Sequence, residues 1–276
     1  MNTDKANYTR QNFQSSLLKQ IIIRVDFSSI TDLNSFILKV KANEWIKDSF
    51  QSYRTIQTNN FNINITHEVF ADKIIPLSIA ETSTIHRFYD CKIKPTENEV
   101  TLDITESFIT VTVLCSDKYN SIDAYIECIG NVMEELYAYD QFTQLQRVAI
   151  RKIDGGDFNC ENEVYSIFEK EKSAGMSSIE AHTKLLKKSY VDAYLDTEAN
   201  LKVNLARSLE VISDNKYRYV LDIDGYIDSS SYDLSKCKSK DDIIDILQYK
   251  INEHLFTIFK GNVTLEFLNK GKKDNV

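Results

Sequence analysis

Two carboxylates, Asp222 and Asp224, stand two residues apart in the run Leu221-Asp222-Ile223-Asp224-Gly225. In a β-strand the side chains alternate, so residues i and i+2 share a face. Such a pair can hold a divalent cation between hard oxygens. It can also accept charge-assisted hydrogen bonds from cations on a neighbouring strand. Arg147 and Arg151 would supply those cations. They stand four apart in the period-2 run Leu145 to Ile153, with Val148 and Ile150 pointing the other way. If the two strands adjoin, arginines and aspartates pair across the sheet. The remaining alternative is an anion received by Arg147 and Arg151. Arg147, Arg151, Asp222 and Asp224 are therefore the candidate binding residues.

The metal reading has one further support. Asp154-Gly155-Gly156-Asp157-Phe158 resembles the glycine hairpin of palm-domain nucleotide cyclases, and Leu221 to Gly225 resembles their metal-binding strand. In those cyclases the Asp-x-Asp strand comes first, and here the order is reversed. Phe158 also stands where a second acidic residue is expected. The ion-paired reading is preferred, and no catalytic residue or metal ligand is assigned. His67, His86, His182 and His254 are isolated, with no HExxH pattern. The 7 glycines form neither a Walker-type nor a dinucleotide-binding loop, and no nucleophile elbow occurs. No cofactor is expected. Tyr217, Tyr219 and Tyr226 cluster near Asp222, which suits packing and interfaces better than base stacking in an acidic chain.

Charge bounds the partners. Lys plus Arg is 33 and Asp plus Glu is 41, a net charge of −8. Such a chain repels phosphate backbones, so duplex DNA is not an expected ligand. The 5 cysteines include no CxxC, which fits free thiols in a reducing cytoplasm. No apolar run is long enough to span a bilayer, and no signal peptide is expected.

The elements that must position these residues follow from periodicity. Ile21, Ile23, Val25 and Phe27 face one way from a strand whose other side is mixed. Residues 31–56 read as helical, with a slip near Asn43. Residues 61–65 form a strand, and 74–93 hold one or two more. Residues 99–115 form a hairpin turning at Glu106-Ser107. A helix carries Ile122, Tyr125, Ile126, Ile129, Val132, Met133 and Leu136. The strand 145–153 ends in a turn at Asp154 to Asp157. Residues 160–187 are loosely helical with a break at Gly175. Three strands follow near 189–196, 200–212 and 217–227. The last helix starts at a capping-box-like Ser239 to Asp242 and stops at Gly261 as a C′ residue.

The expected class is α+β, with two packed halves of antiparallel sheet and helices on one face. The first half, 16–158, reads as an elaborated ferredoxin-like βαβββαβ unit, and the second, 159–268, as αβββα. A flexible arm is expected at 1–15 and a flexible tail at 269–276. No sequence repeat links the halves, although their element orders are similar.

Several blocks resemble a sporadically distributed prokaryotic family of unknown function with members of about this length. Arg24-Val25-Asp26-Phe27 matches the family's first strand. Lys118-Tyr119 through Tyr125 matches its helix entry in part, with Ile122 where the family has Trp. Arg147-Val148-Ala149-Ile150-Arg151-Lys152-Ile153-Asp154 is similar to its Arg-Ile-Gly-Leu-Arg-Tyr-Ile-Asn strand. Leu221-Asp222-Ile223-Asp224 is similar to its Leu-Asp-Leu-Asp-Tyr strand, and Lys250 to Phe259 to its closing helix. The patchy distribution implies a mobile, defence or toxin–antitoxin setting. The expected role is a non-enzymatic, cytoplasmic interaction or regulatory subunit with a protein partner encoded nearby, and self-association is compatible with it. The alternatives are an RNA- or small-ligand-sensing module, or a metal-dependent nuclease or nucleotidyl enzyme using Asp222 and Asp224.

Overall fold

The computed structural model describes residues 5–9, 17–62, 79–117, 119, 121–170, 187–213 and 216–271. Along β1 (Leu18–Phe27), Ile21, Ile23, Val25 and Phe27 are fully buried, while Ile22, Arg24 and Asp26 between them are only partly covered. This alternation repeats across the sheet. The other strands are β2 (Phe50–Asn62), β3 (Ile79–Cys91), β4 (Glu99–Ile104), β5 (Phe108–Leu114), β6 (Leu145–Phe158), β7 (Lys187–Asp196), β8 (Leu201–Ser213) and β9 (Lys216–Asp228). They form one 9-stranded sheet in the order β2-β3-β4-β5-β1-β6-β9-β8-β7. Every neighbouring pair is antiparallel.

The chain is thus α+β, and its two halves share a single sheet, joined where β6 pairs with β9. That sheet is larger than the unit expected for 16–158. Reading outward from β1 gives β5, β4, β3 and β2; reading outward from β6 gives β9, β8 and β7. In each direction an opening strand is followed by a helix, then by a meander whose last strand returns to pair with the opener, then by a closing helix. The set β1 to α3 and the set β6 to α7 therefore repeat each other in topology, with β6, at the end of 16–158, as the opener of the second set, although no sequence repeat is visible.

Helices cover one face. They are α1 (Leu33–Ala42), α2 (Glu44–Ser49), α3 (Asp123–Tyr139), α4 (Glu161–Ile167), α5 (Lys240–Asp245), α6 (Glu253–Asn262) and α7 (Leu265–Lys270), with a π-helical stretch at Ile246–Asn252 joining α5 to α6. The stripe Tyr125, Ile126, Ile129, Val132, Met133 and Leu136 seats α3 on β1 and β5. Gly130 lets α3 approach α5, because a Cβ there would lie 3.1 Å from Lys240 Cγ. Gly225 does the same for α6: its Cβ would meet Leu255 Cδ2 at 2.6 Å. Lys152 is buried on this covered face between Ile21 and Ile223, and its ammonium donates to Asn252 Oδ1 in the π-helical stretch. No helix among the described residues is long and apolar enough to cross a membrane.

Several local expectations change. The slip at Asn43 is a helix boundary: Asn43 caps α2, and the strand expected at 61–65 already starts at Phe50. β6 does not turn at Asp154. It runs on through both glycines to Phe158, paired with β9 throughout. Gly155 is needed there because a Cβ would sit 2.3 Å from the Tyr219 carbonyl oxygen. Gly261 lies inside α6 rather than after it, and the helix ends at Asn262. Part of the expected flexible arm is anchored: Lys5 and Tyr8 are buried, with Lys5 donating to the Val263 carbonyl and Lys260 to that of Tyr8. β3 supplies a strand within the expected 74–93; residues 74–78, Gly175 and residues 272–276 of the tail lie outside the described residues.

Candidate functional site

The uncovered face of the sheet carries all four candidate residues. β6 and β9 are neighbours, with Arg151 directly opposite Asp224 and Arg147 opposite Asp228. The side chains do not pair straight across. Arg151 reaches along the strand to Asp222, with Nε donating to Oδ1 at 2.8 Å and Nη2 to Oδ2 at 2.5 Å. Arg147 lies over the Tyr226 ring, 4.5 Å from its centroid, and reaches Asp224 at 3.2 Å. Asn204 on β8 donates to the same Asp224 oxygen. Both aspartates thus have guanidinium partners, as the ion-paired reading expects.

Arg147 also reaches towards β1. Asp26 on β1 is its direct cross-strand partner, and the Arg147 guanidinium lies 3.7 Å from Asp26 Oδ2. Arg24 holds the other oxygen of Asp26 and lies 3.9 Å over the Phe108 ring on β5. On β8, Lys202 donates to Asp228 at 2.7 Å and to Ser230 Oγ. Burial raises the Asp228 pKa, but the bonds from Lys202 and Ser230 outweigh it and bring the carboxyl down to about 2. The Arg151 pKa is raised, chiefly by its hydrogen bonds to Asp222.

The result is a continuous lattice across β5, β1, β6, β9 and β8. Arg24, Arg147, Arg151 and Lys202 are matched by Asp26, Asp222, Asp224 and Asp228, so the patch is electrically balanced. It remains wet: Arg151 is 46% exposed and Asp222 18%. A further bidentate pair, Arg87 with Asp103, sits on the same face between β3 and β4. Of the tyrosines grouped with Asp222 in the sequence, only Tyr226 belongs to this face. Tyr219 is buried on the covered side, stacked 4.1 Å from Phe168.

Sequence reasoning missed Arg24, Asp26, Phe108, Lys202 and Asp228. Arg24 and Asp26 carry the same i, i+2 spacing as the aspartates, which was the available signal. Their part in the lattice depends on β1 lying beside β6, a contact between segments more than a hundred residues apart.

The paired state of Asp222 and Asp224 bears on metal chemistry. A cation would have to displace two guanidinium groups to reach them, and among the described residues no cluster of His, Cys, Asp and Glu is arranged to hold a metal. Comparison with protein-family profiles, with curated proteins and with solved structures returns no match.

Proposed function

We propose that the chain is a non-enzymatic interaction subunit that receives a protein partner on the uncovered face of its sheet. One observation carries this reading. A nine-stranded sheet is covered by helices on one side, and its other side is organised as a balanced lattice of Arg, Asp, Lys and Tyr. Arg and Tyr are enriched at protein interfaces, where they add area and directed hydrogen bonds. Salt bridges already formed in the free protein hold their side chains in place and lower the ordering cost of association.

The same lattice weighs against the RNA-sensing alternative. Base binding needs open aromatic faces and surplus positive charge. Here Phe108 and Tyr226 each have a guanidinium over the ring, and the patch carries no surplus. The sub-order β6-β1-β5-β4 supports reading the first half as an elaborated ferredoxin-like unit. The resemblance noted in the sequence favours a cytoplasmic defence or toxin–antitoxin setting, with the partner encoded beside this chain.

The test is calorimetric titration of the purified chain with the product of the adjacent gene. Binding is expected, and it should weaken at least tenfold in Tyr226→Ala and in Arg147→Ala. Leu38→Ala, an exposed change on α1, should leave it unaltered. Absence of binding by the unaltered chain, or equal binding by all variants, overturns the proposal.

A further inference from the structure

β7 is the last strand of the sheet formed by the described residues. An edge strand presents a row of free N–H and C=O groups to any other strand. Proteins blunt such edges with charges, prolines, bulges or short length. Between Ser189 and Leu195, β7 carries no proline and no bulge, and its one charge, Asp192, lies on the opposite face from Val191 and Leu195 and is paired with Arg207 at 2.7 Å. Its register with β8 runs without a shift from Lys187 to Asp196. Its uncovered face reads Ser189, Val191, Ala193, Leu195, with Val191 71% exposed and Leu195 50% exposed. The opposite edge differs. β2 puts Arg54 on that face, where it lies over Tyr89.

We propose that β7 pairs antiparallel with β7 of a second copy, about a two-fold axis passing through Ala193 perpendicular to the sheet. Directly opposed residues in an antiparallel pair share a face, so such an axis must pass through a residue position. An axis at Asp192 would oppose Asp192 to its own copy, two like charges. An axis at Val191 would oppose Leu195 to Lys187. An axis at Ala193 opposes Val191 to Leu195 twice and leaves two small residues at the centre. The pairing that this axis needs runs from Val191 to Leu195, roughly 17 Å at about 3.4 Å per residue. That is a narrow contact, below the size of a standard permanent interface, so the dimer is reversible and concentration-dependent.

The axis fixes the consequence. Being perpendicular to the sheet, it keeps the two uncovered faces on the same side, and the sheet continues across both copies. This holds whatever that face binds.

Sedimentation equilibrium of the full chain over a rising concentration series tests the pairing. The mass should move from 31.9 kDa towards twice that value. Val191→Lys with Leu195→Lys opposes lysine to lysine and should hold the mass at the monomer value. Val191→Lys with Leu195→Glu opposes lysine to glutamate in both symmetry-related pairs and should restore the dimer. Amide exchange over 191–195 in the unaltered chain should slow as concentration rises. A monomer at every concentration overturns the proposal and leaves the edge to a strand from another protein. A dimer that survives the double-lysine change removes β7 from the interface. Loss of the dimer in the lysine–glutamate variant rejects the Ala193 register.

Discussion

Arg147, Arg151, Asp222 and Asp224 meet as ion pairs, but the partnership is offset. Arg151 holds Asp222, and Arg147 holds Asp224. A double-mutant cycle should follow those pairs. Arg151→Ala with Asp222→Ala is expected to show a coupling of about 0.5–1 kcal/mol in chemical denaturation. Arg147→Ala with Asp222→Ala, which joins residues of different pairs, should be close to additive. A fully buried pair would couple more strongly; the exposure of Arg151 sets the lower figure. His86 gives a second residue-scale prediction. It is 4% exposed on β3, hydrogen-bonded through Nδ1 to Tyr53 Oη, with Nε2 buried and unpaired. Burial, aided by the nearby Lys41 charge, pushes its pKa down. The folded state therefore binds this proton less readily than the unfolded chain. Stability is full above the unfolded value near 6.5 and falls as pH drops below it. The melting temperature should decline between about pH 7 and pH 5.5, and His86→Leu should flatten that decline.

At the scale of elements, Gly225 decides how closely the closing helix packs. It sits in β9 beneath Leu255 of α6, where a methyl group would collide with the leucine side chain. Gly225→Ala should cost on the order of 1–3 kcal/mol by overpacking. Combining it with Leu255→Ala should cost less than the sum of the two changes, because the second removes the colliding atoms. Thermal melts of the three variants measure this. The hydrophobic stripe from Ile243 to Phe259 was legible as one helix, and it is continuous from α5 through α6. The π-helical stretch within it was not legible. Its widened turns coincide with the position where Asn252 meets the buried Lys152, a partner on a distant strand.

For the whole molecule, the shared sheet predicts shared stability. β6 pairs with β1 on one side and β9 on the other, so neither half can unfold without exposing a central strand edge of the other. Trp45 is the sole tryptophan and lies in α2 of the first half. Urea unfolding followed by Trp45 fluorescence should coincide with unfolding followed by far-ultraviolet circular dichroism, which reports on both halves. Two separated transitions would show independent domains.

The sequence alone determined which segments become strands and helices wherever the period was clean: β1, the β4–β5 hairpin, α3, and the three strands β7, β8 and β9. It also determined that Asp222 and Asp224 share a face, and that Arg147 and Arg151 share one, because side-chain direction along a strand is local geometry. Tertiary structure decided the rest. Which arginine meets which aspartate depends on the register of β6 against β9 and on how far each guanidinium leans along the strand. The entry of Arg24 and Asp26 depends on β1 lying beside β6. The run of β6 through Gly155 and Gly156 depends on the Tyr219 carbonyl pressing close enough to exclude a side chain. A glycine pair reads as a turn when only its own conformational freedom is considered, and as a strand once the neighbouring backbone needs the space.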